Sequence, residues 1–151
     1  MKRYRFKLES VERVRAIRER EALGELAKIR SLLTQGEAFK ASLERAIEDA
    51  LVRREKLGSG EIATATDFLL LNSHLTGLRQ RLTQATRLLG KIKKEELKTL
   101  DAYLKAKQRL SAIEKLREKS FSEYRQASRK EEAKNAEDLI TMRHRLRKEA
   151  A

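Results

Sequence analysis

The sequence contains no cysteine, no proline and no tryptophan, and only six glycines. The lack of cysteine excludes disulfide bonds and thiolate chemistry. Because there is no proline, glycines give the strongest break signals, and Gly58-Ser59-Gly60 holds the only two glycines separated by one residue. No apolar run approaches the roughly 20 residues that span a bilayer. The first residues are charged, so we expect no secretory signal.

Motifs that bind nucleotides or catalytic metals are also missing. There is no glycine-rich phosphate loop, no dinucleotide fingerprint and no HExxH motif. His74 and His144 lie far apart in the chain, and adjacent acids such as Glu95 and Glu96 point about 100° apart on a helix. Such groups do not converge on one substrate. We therefore expect no enzymatic activity, no cofactor and no metal site.

Charged residues are abundant, at 39% of the chain, whereas aromatic residues make up only 5%. This composition, with apolar residues at helical spacing, is typical of long helices or coiled coils. The formal net charge of +13 favours an anionic partner, such as nucleic acid, a phospholipid surface or an acidic protein. A chain of this kind buries a narrow seam between helices rather than a thick core.

The first predicted helix spans about residues 8–56, where apolar residues recur in steps of three and four. We expect Gly36 at a seam position. The other members of the expected apolar face are Val11, Val14, Ile17, Ala22, Leu26, Ile29, Leu33, Phe39, Leu43, Ile47 and Ala50.

A loop is expected at about residues 57–64, followed by a second helix over about residues 65–146. Thr64, Thr66 and Asp67 offer side chains that can cap its start. Its heptad pattern is regular and predicts a left-handed supercoil; it consists of Phe68, Leu71, Leu75, Leu78, Leu82, Ala85, Leu89 and Ile92. The pattern then slips and resumes at Leu97, Leu100 and Leu104.

These patterns predict an all-α fold, a long antiparallel two-helix coiled coil that forms one domain over residues 1–151. The second helix is the longer one, so its last thirty or so residues should overhang or fray. A turn centred near residue 57 would place Gly24 level with Gly90, and Gly36 level with Gly77. Facing glycines would allow the two helices to approach closely.

Two surface features suggest binding. Residues 1–20 carry eight Lys or Arg against three Glu, and residues 91–119 carry ten against five acids. A hairpin lays these segments side by side, so it predicts a basic end away from the loop, although a merely solvated helix face would look the same. We assign to this end Arg3, Arg5, Arg13, Arg15, Lys105 and Arg109.

The second feature is the apolar run Phe68-Leu69-Leu70-Leu71, which places apolar side chains all around the helix. Only two of them can face the seam, so Leu69 and Leu70 should be partly exposed. Exposed apolar groups suggest a partner surface, unless a third helix or a second copy covers them. The residues of this expected surface are Phe68, Leu69, Leu70, Leu71, Asn72 and Leu75.

Several segments resemble the flagellar export protein FliJ family. The N-terminal segment of that family's sequences is similar to two stretches of this chain, Tyr4-Arg5-Phe6-Lys7-Leu8-Glu9-Ser10-Val11 and residues 14–23. The family's C-terminal block is similar to residues 113–119, Tyr124-Arg125, residues 129–132 and residues 136–139. In layout, the resemblance covers the whole chain.

The resemblance implies a soluble component of the flagellar type III export apparatus, located in the cytoplasm and peripheral at the inner membrane. It implies an antiparallel coiled coil similar to the γ stalk of rotary ATPases. Its partners would be the export ATPase hexamer, whose assembly and activity it promotes, the cytoplasmic domain of the export gate, and export chaperones. No small-molecule substrate is expected. The basic end would face the ATPase, which leaves the surface at residues 68–75 for the gate.

The main alternative function is a basic coiled-coil arm that binds RNA or another nucleic acid. Nucleic acid is the less favoured partner, because the few aromatic residues are expected mostly on the seam, where they cannot stack on bases. A helix on a membrane surface ranks lower, since the apolar stripe is narrow. A dimeric structural coiled coil is a further alternative.

Overall fold

The computed structural model describes residues 3–59 and 64–149. They form two helices, α1 over Glu9–Gly58 with 50 residues and α2 over Ala65–Glu149 with 85 residues. No strand is present in these ranges, so the predicted all-α fold with two long helices is confirmed. Part of the expected loop, residues 60–63, lies outside the described residues.

The start of α2 is fixed by a reciprocal cap. The Asp67 amide donates to Thr64 Oγ1 at 3.3 Å, and Asp67 Oδ2 accepts from the Thr64 hydroxyl at 2.6 Å and from its amide at 2.9 Å. These bonds satisfy groups that a helix end otherwise leaves without partners. The hydroxyl bond, followed by the amide bond, holds the pKa of Asp67 below its usual value. The predicted capping role of Thr64 and Asp67 is therefore confirmed.

The chain divides into two compact units, and each helix contributes to both. Unit 1 consists of Met1–Glu19 and Lys105–Ala151, and unit 2 consists of Arg20–Leu104. The organisation of the chain as a single domain stays a prediction.

In unit 2, the segments of α1 and α2 run antiparallel. Glu37 Oε1 lies 3.4 Å from Lys93 Nζ, and Arg30 Nε lies 3.0 Å from Glu96 Oε1. Every member of the predicted heptad from Phe68 to Ile92 is buried or half-buried. A narrow apolar seam therefore holds this unit together; its core cluster consists of Leu43, Ala50, Leu75, Leu78 and Ala85.

The predicted slip of the heptad after Ile92 is wrong. Positions 92, 96, 99 and 103 are all half-buried, so the inward face continues in steps of four and three. Of the three leucines predicted to follow the slip, Leu100 is half-buried, whereas Leu97 and Leu104 point outward and are 65% and 46% exposed. Polar Glu96 can occupy the seam because its carboxylate reaches the edge of the interface, where it pairs with Arg30.

Phe39 is also outward, with 55% of its surface exposed, although we expected it on the seam. The neighbouring Lys40 takes the half-buried position. The aliphatic stem of a lysine can lie along an apolar seam while its ammonium group reaches outward, here to Glu44 at 3.6 Å.

The predicted glycine pairing is wrong as well. The Arg30–Glu96 pair centres the antiparallel register near position 63, about six residues later than expected. Gly36 therefore lies opposite Leu89, whose Cδ2 is 2.7 Å from the place where a Cβ would stand. No such neighbour lies within 4 Å of the corresponding positions at Gly24, Gly77 or Gly90.

In unit 1, the inward face of α1 is polar. Glu12, Arg15 and Glu19 are half-buried, whereas Val11, Val14 and Ile17 are exposed, contrary to prediction. Two of these groups are bonded to α2. Arg15 Nη1 donates to the Arg109 carbonyl at 2.7 Å, and Glu12 pairs with Arg117 Nη1 at 3.1 Å. These two contacts join α1 to α2.

The last part of α2 receives no cover within unit 1. All side chains from 129 to 149 are exposed, although the segment is helical to Glu149. This exposure agrees with the overhang that the shorter first helix predicts. The exposed apolar side chains of the segment are Leu139, Ile140, Met142 and Leu146.

Candidate partner-binding surfaces

The apolar run at the start of α2 divides between core and solvent as predicted. Leu69 and Leu70 are 70% and 65% exposed. Phe68 is half-buried, and Leu71 packs against the core cluster of unit 2. The run therefore carries more apolar surface than the seam can bury, and the excess faces solvent.

The other two residues expected on this surface differ from each other. Asn72 is exposed, and its main-chain carbonyl accepts a bond from the Thr76 hydroxyl at 2.9 Å. Leu75 is only 2% exposed and belongs to the core cluster. A partner on this face would therefore contact Leu69, Leu70 and Asn72. Leu75 would make no contact with the partner and would only pack within the core of unit 2.

All six residues assigned to the basic end belong to unit 1. Five of them have exposed side chains, namely Arg3, Arg5, Arg13, Lys105 and Arg109. Arg15 is half-buried, because its guanidinium is committed to the Arg109 carbonyl. Arg13 is exposed but pairs with Glu9 at 3.3 Å. All six predicted cations therefore belong to one unit, and Arg13, Arg15 and Lys105 already have partners there.

Residues before α1 are held against α2 by Tyr4. Its hydroxyl donates to the Arg117 carbonyl at 3.2 Å. Its ring centroid lies 5.1 Å from that of Phe121, nearly edge-on, and 5.4 Å from that of Tyr124. These separations are typical of favourable aromatic pairs. Three of the chain's few aromatic rings are therefore used for packing in unit 1.

A groove of about 600 Å³ lies beside Tyr4. Its charged lining includes Arg117 together with Glu12, Glu114 and Glu118. The hydrogen bond from Arg117 to Glu12 and the attraction between their charges raise the pKa of Arg117 above its usual value. The guanidinium stays protonated and paired, so its role here is to join α1 to α2.

The exposure of Val11, Val14 and Ile17 in unit 1 was not predicted, since their spacing had suggested a seam position. A usable signal is nevertheless present in the sequence. Counting back from the buried Leu26 in alternating steps of four and three reaches positions 22, 19, 15 and 12, all of which are half-buried. This count leaves Val11, Val14 and Ile17 outside, next to cationic Arg13 and Arg18.

No cluster of three or more His, Cys, Asp or Glu side chains within residues 3–59 and 64–149 is arranged to bind a metal ion. In the same ranges, neither helix has a stretch with the length and hydropathy of a membrane span.

The fold defines an all-α protein of two antiparallel packed helices, with basic and apolar side chains exposed on them. More particularly, the chain belongs to the flagellar FliJ protein family, since the sequence model of that family, described as "Flagellar FliJ protein", matches residues 4–149. Comparison with curated proteins and with solved structures gave no match. Membership of the family makes the chain a component of flagellar protein export.

Proposed function

We propose that this protein binds the hexamer of the flagellar export ATPase, promotes its assembly and activity, and links it to the export gate and to export chaperones. Membership of the family over residues 4–149 is the observation that carries this proposal. The protein would act in the cytoplasm, at the inner membrane through its partners, and would hydrolyse nothing itself.

Unit 1 has the features that we assign to the ATPase contact. Its exposed cations include Arg3, Arg5 and Arg109, and Val14 and Ile17 are about half exposed. Cations steer the approach to an acidic surface, and apolar groups add affinity once water is excluded. A helical end that touches several subunits of a ring at once gains affinity from multivalency. Uneven contacts with the subunits would couple binding to ATP turnover.

The exposed side chains at the start of α2 are our candidates for the gate contact. Leu69 and Leu70 lose little packing when a partner covers them, because they are already more than 60% exposed. Burying both would favour association by roughly 1.5–3 kcal/mol each before the costs of binding. This surface belongs to unit 2, whereas the assigned ATPase contact belongs to unit 1.

A turnover assay with the purified cognate export ATPase tests the proposal. We expect the wild-type chain to stimulate ATP hydrolysis and to show no hydrolysis alone. Ile17→Ser should raise the concentration for half-maximal stimulation by about tenfold, since it removes one exposed apolar contact. Leu69→Ser is the matched control and should stimulate like the wild type. Unchanged turnover with the wild-type chain would count against the proposal.

The RNA-binding alternative makes a different prediction. Base stacking needs accessible rings, and Tyr4, Phe121 and Tyr124 pack on one another. We therefore expect only weak, salt-sensitive retention of random RNA, set by phosphate contacts. A gel-shift at physiological salt that shows tight RNA binding, with no effect of the chain on the ATPase, would favour the alternative.

A further inference from the structure

A groove of about 410 Å³ runs between α1 and α2 in unit 2. Gly36 opens it, because the missing side chain leaves room for Leu89. Its floor includes the buried Ala85 and Leu89, and its walls include Phe39 and Leu88, which are 55% and 59% exposed. Exposed apolar side chains therefore flank an apolar floor, an arrangement that makes the groove a candidate contact site for a partner.

The surroundings of the groove are positively charged. Residues 68–94 contain no Asp or Glu, whereas Lys or Arg occupies positions 79, 81, 87, 91, 93 and 94. Arg81 lines the groove and makes no ion pair within the described ranges. The nearby acids of α1 are compensated, since Glu37 pairs with Lys93 and Glu44 with Lys40. The uncompensated charge at this groove is therefore positive.

We propose that this groove binds an amphipathic helix of a partner protein, with apolar residues at positions i, i+4 and i+7 and with acidic residues beside them. An apolar stripe would lie on Phe39 and Leu88, as in helix-in-groove recognition. Acidic flanks would complement Arg81. The proposal is independent of the proposed function, because none of the residues assigned to the ATPase or gate contacts lines the groove.

Other occupants fit less well. A small molecule is usually buried by 70–90% in its site, which walls that are more than half exposed cannot achieve. A second copy of this chain would bring the same excess of positive charge, with a net charge of +13 per chain. RNA would find cations here but only one aromatic ring in the lining, Phe39.

A synthetic peptide provides the test. The probe is a fluorescein-labelled helix of about 18 residues, or five turns, with Leu at i, i+4, i+7 and i+11 and with Glu and Ala elsewhere. Fluorescence anisotropy measures its binding to the full chain. We expect saturable binding that Leu88→Ser weakens about tenfold, because the variant removes one apolar wall. A peptide of the same composition in scrambled order should bind the wild-type chain no more tightly than the ordered peptide binds Leu88→Ser.

Matched variants control for folding and for general charge. Leu97→Ser lies on the same helix in the same unit, is exposed like Leu88 and does not line the groove, so it should leave binding unchanged. Arg81→Glu should weaken binding more than Arg87→Glu, which has the same change of charge outside the groove. Circular dichroism of each variant shows whether the helices are retained.

Several outcomes would overturn the proposal. Equal binding of the ordered and scrambled peptides would leave only general attraction between charges. Equal effects of Leu88→Ser and Leu97→Ser would place the contact elsewhere. Self-association without peptide that Leu88→Ser abolishes would assign the groove to a second copy, and retention of random RNA that depends on Leu88 would assign it to nucleic acid.

Discussion

Replacing Gly36 with alanine tests how closely the two helices approach in unit 2. In the middle of a helix, Gly→Ala normally stabilises by about 1 kcal/mol, because alanine has the higher helix propensity. Here the new Cβ would stand 2.7 Å from Leu89 Cδ2, whereas ordinary contact begins at 3.4 Å. Leu89 is only 6% exposed, so its side chain can relieve this contact only by turning toward the groove that it lines.

The expected magnitude follows from these two opposing effects. Overpacking typically costs about 1–3 kcal/mol, and movement of Leu89 toward the groove keeps the cost near the low end of that range, where it offsets or exceeds the propensity gain. Gly36→Ala should therefore be neutral or destabilising by up to about 2 kcal/mol. Gly24→Ala and Gly90→Ala are matched controls, because nothing lies within 4 Å of their new Cβ atoms, and each should stabilise by about 1 kcal/mol.

Thermal unfolding followed by circular dichroism measures these effects, at roughly 2–4 °C per kcal/mol for a chain of this size. A double-mutant cycle isolates the contact, since Gly36→Ala should become stabilising in a Leu89→Ala background. Leu89→Ala alone should cost about 2–5 kcal/mol. The packing assigned to Gly36 is refuted if Gly36→Ala raises the melting temperature as much as Gly24→Ala does.

Two further predictions concern the start of α2 and the residues before α1. Because the Thr64 bonds hold the pKa of Asp67 below its usual value, the wild type should be more stable than Asp67→Asn at neutral pH. This advantage should disappear as the pH falls below about 4 and through the folded pKa, and melting curves with the same difference at every pH would contradict it. Tyr4→Ala should destabilise unit 1 by about 1–3 kcal/mol, since it removes two ring contacts, whereas Tyr4→Phe, which loses only the bond to the Arg117 carbonyl, should cost less than about 1.5 kcal/mol. Equal losses in urea titrations of the two variants would mean that the rings contribute nothing.

The heptad at the start of α2 could be predicted because eight apolar side chains share one face without a polar interruption. Only one inward face satisfies such a pattern, and the structure buries or half-buries all eight. The exposure of Leu69 and Leu70 followed from the same reasoning, since a narrow seam cannot cover four consecutive apolar residues. The cap formed by Thr64 and Asp67 is a local feature and needs no knowledge of the partner helix.

The inward face at the start of α1 was missed because the apolar residues nearest to it indicate a different face from the one that the heptad count from Leu26 gives. Val11, Val14 and Ile17 suggest one face, but Glu12 and Arg15 occupy the seam, where they bond to groups on α2. Those partners are about one hundred residues away in the sequence, so local periodicity does not reveal them. A buried polar group is tolerated once it is hydrogen-bonded, and apolar neighbours are then left outside.

The groove at Gly36 escaped prediction for a related reason. Its existence depends on the register between the helices, which the position of the turn determines. The predicted turn was about six residues too early, so the prediction placed Gly36 level with Gly77, whereas in the structure Gly36 lies opposite Leu89. From the sequence, Phe39 was assigned to the seam and Leu88 to no surface, so neither was expected to form the wall of a groove.

Site-specific photocrosslinking tests the assignment of the ATPase contact most directly. The chain has no cysteine, so Ile17→Cys and Leu69→Cys each accept a single benzophenone label. Both positions are exposed, one in unit 1 and the other in unit 2. With the cognate export ATPase, we expect crosslinks from position 17 and none from position 69, which should crosslink to the cytoplasmic domain of the gate. Crosslinks to the ATPase from position 69 alone, or from neither position while the chain stimulates turnover, would contradict this account.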